Sequence, residues 1–111
     1  MNDHLDLTNQ TCRSCHRDTP PLSMESILEH LKLIEGWSFE DGEIVRTYTF
    51  KNYLETMAFV HALAWIAHSQ DHHPSIEVDY KTCKVRYSTH TISGISENDF
   101  ICAAKINSLV K

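Results

Sequence analysis

The chain has 111 residues, a formal net charge of −5, 41% hydrophobic residues and 23% charged residues. This length and composition are typical of one soluble globular domain that buries roughly 65% of its unfolded surface. The acidic charge argues against nucleic acid as a direct ligand, because phosphate binding requires clustered Lys and Arg, and no window approaches the ~20 apolar residues of a membrane span.

The N-terminal residues differ in character from the rest of the chain. Residues 1–22 are polar, lack periodicity and end in Pro20-Pro21, so we expect a flexible N-terminal arm followed by a single domain over 23–111. The first residues have neither the basic region nor the apolar run of a secretory signal peptide. We therefore expect a cytoplasmic protein whose four cysteines remain thiols.

Two of these cysteines lie in the arm. Cys12 and Cys15, followed by His16, match the CxxCH pattern of haem attachment, but that chemistry requires export. A structural zinc would need two more ligands, and Cys83 and Cys102 lack the spacing of a zinc knuckle. We expect a solvent-exposed dithiol with no dedicated role.

The first half of the domain predicts a helix, a hairpin and a second helix. Ser23 is a suitable N-cap for a helix that ends near Gly36. Asp41-Gly42, between stretches that alternate apolar and polar residues, predicts a β-hairpin. A second helix over 52–69 is apolar around much of its circumference, so we expect it to pack against a sheet and another surface, with His61 buried.

The second half predicts two strands and a last helix. Apolar and polar residues alternate over 76–80 and 83–87, as in half-buried strands. Ser96 and Asp99 indicate a capping box at the start of a helix that runs to about residue 109. The element order helix-strand-strand-helix-strand-strand-helix predicts an α+β domain, with a four-stranded antiparallel sheet and helices packed on one face. The exposed edges of such a sheet favour pairing across a two-fold axis.

A short polar segment, Asp71-His72-His73-Pro74, follows the second helix. Histidine changes charge near neutral pH, and a neighbouring carboxylate both orients an imidazole and stabilises its charged form. Adjacent residues in an extended segment point to opposite sides, so one histidine is expected to face a cleft while the other reaches a different wall. The alternative is a polar loop with surface histidines.

Two further candidates lie downstream. His90 follows the last strand, where an exposed loop histidine is the alternative. Asp99 occupies the third position of the last helix, where a carboxylate also simply complements the helix N-terminus. The two roles of Asp99 are compatible, because a carboxylate fixed at a helix start can also orient a histidine. Convergence of these residues with the histidine pair would give acid–base chemistry on a small molecule.

A metal site is an alternative use of the histidines. His68 and His72 are spaced i and i+4, and His73 and His90 would add ligands. Without a cysteine or an acid at ligand spacing this is a weak metal signal, and we expect no metal. The chain also lacks a Gly-rich phosphate loop, a GxSxG elbow and a Rossmann fingerprint.

The complete pattern over 23–110 resembles the pterin-4a-carbinolamine dehydratases. The spacing that carries the resemblance is that of His68, His72-His73-Pro74, Tyr80, His90 and Asp99, together with Ser88-Thr89-His90, Gly94 and Ser96-Glu97-Asn98-Asp99. The arm with Cys12 and Cys15 is similar to the N-terminus of bacterial members that work beside phenylalanine hydroxylase. The resemblance favours functional roles for the histidines over the surface-loop alternatives.

The resemblance implies a fold, an assembly and a reaction. Family members share the same element order and form dimers through sheet edges, and often tetramers through helices. The implied activity is that of a 4a-hydroxytetrahydrobiopterin dehydratase, a hydro-lyase that removes water from 4a-hydroxytetrahydropterin to give quinonoid dihydropterin. The pterin substrate is the spent cofactor of an aromatic amino acid hydroxylase such as phenylalanine hydroxylase, and no metal or organic cofactor is implied.

The resemblance also implies roles for individual catalytic residues. His72 and His90 would transfer protons, and His73 would mainly contact the pterin. A protonated imidazole is suited to this reaction because hydroxide is a poor leaving group and must receive a proton as it departs.

Four further residues would orient the histidines or bind substrate. Asp71 and Asp99 would orient and charge the imidazoles, and Pro74 would fix the direction of the strand leaving the site. His68 takes a position that holds glutamate in many members, which exchanges a carboxylate for a basic group. The runner-up function is that of a protein-binding module, because animal relatives also act as dimerisation cofactors for a transcription factor; an accessory protein of another pterin pathway is a further alternative.

Overall fold

A computed structural model describes residues 6–110, and its helices and strands occur in the predicted order. The helices are α1 (Met24–Leu31), α2 (Tyr53–Ser69) and α3 (Glu97–Asn107), and the strands are β1 (Ser38–Glu40), β2 (Glu43–Thr49), β3 (Ser75–Val78) and β4 (Thr82–Tyr87). The predicted α+β class is therefore confirmed. Most of the segment inspected for a signal peptide lies outside the described residues.

Local side-chain chemistry begins and ends these elements. The Ser23 hydroxyl accepts a hydrogen bond from the Ser26 backbone N–H at 3.1 Å, which caps α1. Asn52 caps α2 in the same way. Asp41 and Gly42 have φ angles of 51° and 81°, as the predicted two-residue hairpin between β1 and β2 requires.

The sheet has the strand order β1-β2-β4-β3, and every neighbouring pair is antiparallel. Alternate residues of the central strand β4, Cys83, Val85 and Tyr87, are fully buried against a core that includes α3. The strand order places β3 at one edge of the sheet, and all four of its residues are exposed. The histidine segment 71–74 connects α2 to this edge strand.

Helix α2 has one buried face and one exposed face. Its buried residues are Thr56, Phe59, Leu63 and Ala67. On the other side Leu54 is 78% exposed and Trp65 is 69% exposed, and His61 is exposed between them. The expectation that His61 is buried is therefore wrong, because the second surface expected to cover α2 is not supplied by the described part of this chain.

The described part of the N-terminal segment packs against the domain. Leu7 is 3% exposed and belongs to the hydrophobic core. The Lys105 ammonium donates to the Thr8 carbonyl at 2.7 Å, and the Arg13 backbone N–H donates to Asn98 Oδ1 at 2.9 Å. The arm thus contacts both ends of α3.

None of the helices described over residues 6–110 has the length and apolar character needed to cross a membrane.

Candidate functional site

The C-terminus of α2 fixes the position of His72. Asp71 adopts a left-handed conformation with φ 53°, and its backbone N–H donates to the His68 carbonyl at 3.1 Å. The His72 N–H then donates to the Ala67 carbonyl at 3.0 Å. These two bonds form a Schellman motif, so His72 is held at a fixed place where the helix ends. Pro74 then restricts the preceding residue to extended geometry.

His72 is paired with a buried carboxylate of α3. His72 Nε2 lies 2.6 Å from Asp99 Oδ1, and the Asp99 side chain is completely buried. A carboxylate oxygen accepts hydrogen bonds, so the proton of this bond is on Nε2. The second ring nitrogen, Nδ1, is therefore the atom of His72 left for proton exchange with a substrate.

The other oxygen of Asp99 is held by two donors. Asp99 Oδ2 accepts from the Thr89 hydroxyl at 2.9 Å and from the Ser96 backbone N–H at 2.9 Å. The Ser96 and Thr89 hydroxyl oxygens lie 2.7 Å apart, so Ser96 donates to Thr89 while Thr89 donates to the carboxylate. The buried charge is thereby hydrogen-bonded at both oxygens, as burial of a carboxylate requires. Asp99 thus completes the predicted capping box of α3 and also contacts His72.

Tyr87 supports His72 from the sheet. The two rings are stacked with centroids 5.0 Å apart, and the Tyr87 hydroxyl donates to the His72 carbonyl at 2.9 Å. Sequence reasoning gave neither Tyr87 nor Thr89 a supporting role. The sequence contains a pattern that predicts their position: the two-residue period of β4, continued past its end, places Tyr87 and Thr89 on the face that packs against α3.

The environment of His72 favours its protonated form. Burial alone would lower the pKa of the imidazole, but the hydrogen bond that His72 donates to Asp99 and the negative charge of that carboxylate outweigh burial. The pKa of His72 is therefore raised above the ordinary value of 6.5. Asp71 adds a smaller contribution in the same direction.

A cavity of about 370 Å³ lies beside this pair, within the size range of small-molecule sites. Its lining residues are Leu63, Ala64, Ala67, His68, Asp71, His72, His73, Pro74 and Ile76. Five of the seven predicted site residues line this cavity. Asp99 is not among the lining residues but contacts one of them, His72.

His90 is the predicted catalytic histidine that the structure places apart from the cavity lining. Its side chain is exposed, and it begins a 3₁₀ turn over His90–Ile92. Its neighbour Thr89 donates a hydrogen bond to Asp99, so His90 is adjacent in sequence to a residue that contacts the carboxylate.

Within residues 6–110, no group of three or more His, Cys, Asp or Glu side chains is arranged to hold a metal ion.

A buried carboxylate that orients a histidine at the wall of such a cavity is the arrangement of an acid–base site for a small molecule. The family model for pterin 4 alpha carbinolamine dehydratase matches residues 20–109. The chain therefore belongs to the pterin 4 alpha carbinolamine dehydratase family.

Individual relatives agree with this assignment. A protein of Nitrosomonas europaea, named provisionally as a pterin-4-alpha-carbinolamine dehydratase, is 52% identical over 100% of this chain and 99% of its own length. A protein of Nitrosospira multiformis with the same provisional name is 51% identical over 94% of this chain and 92% of its own length.

Solved structures show the same fold. A transcriptional coactivator/pterin dehydratase from Brucella melitensis superposes with a TM-score of 0.79 at 29% identity, covering 82% of this chain and 99% of that one. A pterin dehydratase-like protein identified as a RuBisCO assembly factor in the alpha-carboxysome gives a TM-score of 0.56 at 22% identity, over 66% of this chain and 84% of that one. At that identity the second likeness concerns the fold alone.

Proposed function

We propose that this chain catalyses the dehydration of 4a-hydroxytetrahydropterin to quinonoid dihydropterin and water. The observation that carries the proposal is the His72–Asp99 pair at 2.6 Å, beside a cavity of about 370 Å³. In this role the enzyme would return the spent cofactor of an aromatic amino acid hydroxylase to its recycling pathway. Family membership supplies the substrate class, and the pair supplies the acid–base chemistry.

His72 is the acid of this mechanism. The reaction breaks the bond between the 4a carbon and its hydroxyl, and an imidazolium that donates a proton makes water the leaving group. A raised pKa keeps more of His72 protonated at neutral pH. Because Nε2 is held by Asp99, the donated proton leaves from Nδ1.

The other three histidines of the predicted site have separate roles in the proposed reaction. Loss of the N5 proton from the pterin ring requires a base, and we assign this step to His90 by resemblance to the family. His73 lines the cavity and would contact the pterin. His68 also lines the cavity, so the exchange of the usual glutamate for a basic residue is expected to alter the pH dependence of the reaction.

The cavity suits a flat heterocycle. Leu63, Ala67 and Ile76 provide apolar surface against which a ring can lie. Polar contacts come from His68 at the end of α2 and from Asp71, His72 and His73 of the segment 71–74. This combination of an apolar lining with a few polar groups is typical of small-molecule sites.

The assay couples the purified chain to a phenylalanine hydroxylase that releases 4a-hydroxytetrahydropterin. The ultraviolet absorbance of that intermediate is followed with and without the protein. We expect faster decay with the wild type, and loss of the acceleration with His72→Ala and with His90→Ala. His16→Ala, which removes an exposed imidazole of the arm, is the matched control and should retain the activity. Decay at the spontaneous rate with the wild type would contradict the proposal.

A protein-binding module is the second candidate, and the coactivator description of the Brucella melitensis structure favours considering it. The double variant His72→Ala/His73→Ala separates the two functions. A binding module keeps its partner and its cellular role after this change, whereas a dehydratase loses both turnover and its contribution to growth on phenylalanine.

Self-association forms part of the proposal. The exposed edge strand β3 and the exposed apolar face of α2 fit the sheet-edge and helix contacts of the family's dimers and tetramers. We propose that a second copy of this chain covers each surface. On this face Leu54 is 78% exposed and Trp65 is 69% exposed. Removing such apolar surface from water lowers the free energy and so favours association.

A further inference from the structure

Two cysteines that are distant in sequence are in contact next to the candidate site. Cys12 Sγ of the arm lies 3.5 Å from Cys102 Sγ of α3, although 90 positions separate them. Cys12 Sγ also lies 3.6 Å from the Asn98 carbonyl oxygen. Cys102 is completely buried, whereas Cys12 is partly exposed. The arm thus presents an accessible thiol to a buried one.

The surroundings distinguish the two thiols. The contact with the other thiol raises the pKa of Cys12 and lowers the pKa of Cys102. The thiolate is the nucleophilic form of cysteine. Cys102 is therefore suited to attack a sulfur at the position of Cys12.

We propose that Cys12 and Cys102 form an oxidation site, in which a hydroperoxide converts the two thiols into a disulfide that joins the arm to α3. Cys12 reacts first because it is the thiol that hydrogen peroxide can reach from solvent. Its sulfur loses the proton as it attacks the peroxide, the O–O bond breaks, and a sulfenic acid and one water form. The Cys102 sulfur then attacks the Cys12 sulfur, the S–O bond breaks, and a second water leaves. The two thiols supply the two electrons and two protons that reduce the peroxide.

The geometry requires only a small movement. The sulfurs must approach from 3.5 Å to the ~2.05 Å of a disulfide, which is within the range of side-chain rotation on a partly exposed segment. The bridge would close a loop of 90 positions and so restrict the unfolded chain strongly. The bridge would also restrict the motion of α3 close to the site, because Cys102 Sγ lies 4.0 Å from the His72 carbonyl oxygen.

Peptide mapping tests the bridge directly, because trypsin places the four cysteines in separate peptides. Cleavage after Arg13 separates Cys12, in residues 1–13, from Cys15, and cleavage after Lys105 yields Cys102 in residues 87–105. The full-length reduced protein is treated with hydrogen peroxide, blocked with an alkylating agent, digested and analysed by mass spectrometry without reductant. We expect a crosslinked species of 1–13 with 87–105, lighter than the two peptides by two hydrogens.

Serine variants distinguish this bridge from other oxidation products. Cys12→Ser and Cys102→Ser should each abolish the crosslinked species, whereas Cys15→Ser, the matched control from the same arm, should retain it. A bridge between Cys12 and Cys15, sulfinic acid at Cys12 without a bridge, or unmodified thiols would each overturn the proposal. None of these readouts depends on the dehydratase activity.

Thermal unfolding gives a second measurement. Oxidation should raise the Tm of the wild type and of Cys15→Ser by roughly 10 °C or more, and a dithiol reductant should reverse the rise. Cys12→Ser changes only a partly exposed residue, so it should fold and show no rise. An equal rise in Cys12→Ser, or no rise in a wild type that carries the bridge, would contradict the structural role proposed for the disulfide.

Discussion

Asp99 Oδ1 lies 2.6 Å from His72 Nε2, although the two residues are 27 positions apart and belong to different elements. The Schellman turn after α2 places His72, and the capping turn of α3 places Asp99. Because both turns are fixed by backbone hydrogen bonds, the pair is set before any substrate arrives. Such preorganisation is what an acid–base site requires.

Removing the Asp99 charge should lower the pKa of His72. In Asp99→Asn the imidazole loses the interaction that opposes burial, so its pKa should fall below that of the wild type. Titration of the histidine resonances by NMR measures this change. Glu97→Gln removes an exposed carboxylate from the same helix turn and should leave the value unchanged. An equal pKa in Asp99→Asn and wild type would show that the carboxylate does not charge His72.

Protonated His72 should stabilise the fold on the acidic side of neutrality. Its pKa is higher in the folded state than the ordinary 6.5 of an unfolded chain, so the contribution is fully present below about pH 6.5. It is lost as the pH rises through the raised folded value. The difference in free energy of unfolding between wild type and His72→Gln should therefore shrink from about pH 6 to about pH 9. Urea denaturation measures it, and a difference that grows with pH would contradict the sign.

The Thr89 hydroxyl should contribute to stability through Asp99. Thr89→Val keeps the shape of the side chain but leaves a buried carboxylate without one of its donors, at a cost of about 1–3 kcal/mol. Thr89→Ser retains the hydroxyl and should recover most of this loss. Thr91→Val, at an exposed neighbouring position, is the control, and a loss no greater than that of Thr91→Val would remove the structural role of Thr89.

The left-handed conformation of Asp71 should decide which substitutions it tolerates. With φ at 53°, Asp71→Ala should destabilise the protein by about 1 kcal/mol, and Asp71→Gly should be neutral or stabilising. Asp71→Asn tolerates the conformation and removes the charge, so it isolates the effect of that charge on His72. Chemical denaturation of the three variants checks the order, and greater stability of Asp71→Ala than of Asp71→Gly would contradict it.

A charge on the exposed face of α2 should reduce self-association. Trp65→Glu places a carboxylate in the apolar face proposed to contact a second copy, so the assembly should become smaller in light scattering after gel filtration. Glu55→Gln, at an exposed polar position of the same helix, is the control. An unchanged mass for Trp65→Glu would place the contact elsewhere.

The order and type of the elements were predictable because each has a local signal. Ser23 and Asn52 cap their helices through their own side chains, and Asp41-Gly42 adopts the positive φ angles of its hairpin. His61 was mispredicted for the opposite reason. An apolar helix face indicates that something covers it, but the pattern does not say whether the cover is in the same chain.

The sequence by itself determined the α+β fold and the residue types available for acid–base chemistry, since periodicity, caps and spacing are local properties. Only the tertiary structure decided which groups meet. It joined His72 to Asp99 and placed Thr89 and Tyr87 around them, and it brought Cys12 to Cys102. These contacts depend on how α3 and the arm pack against the sheet and the end of α2, and that packing is set by burial of side chains far apart in the chain.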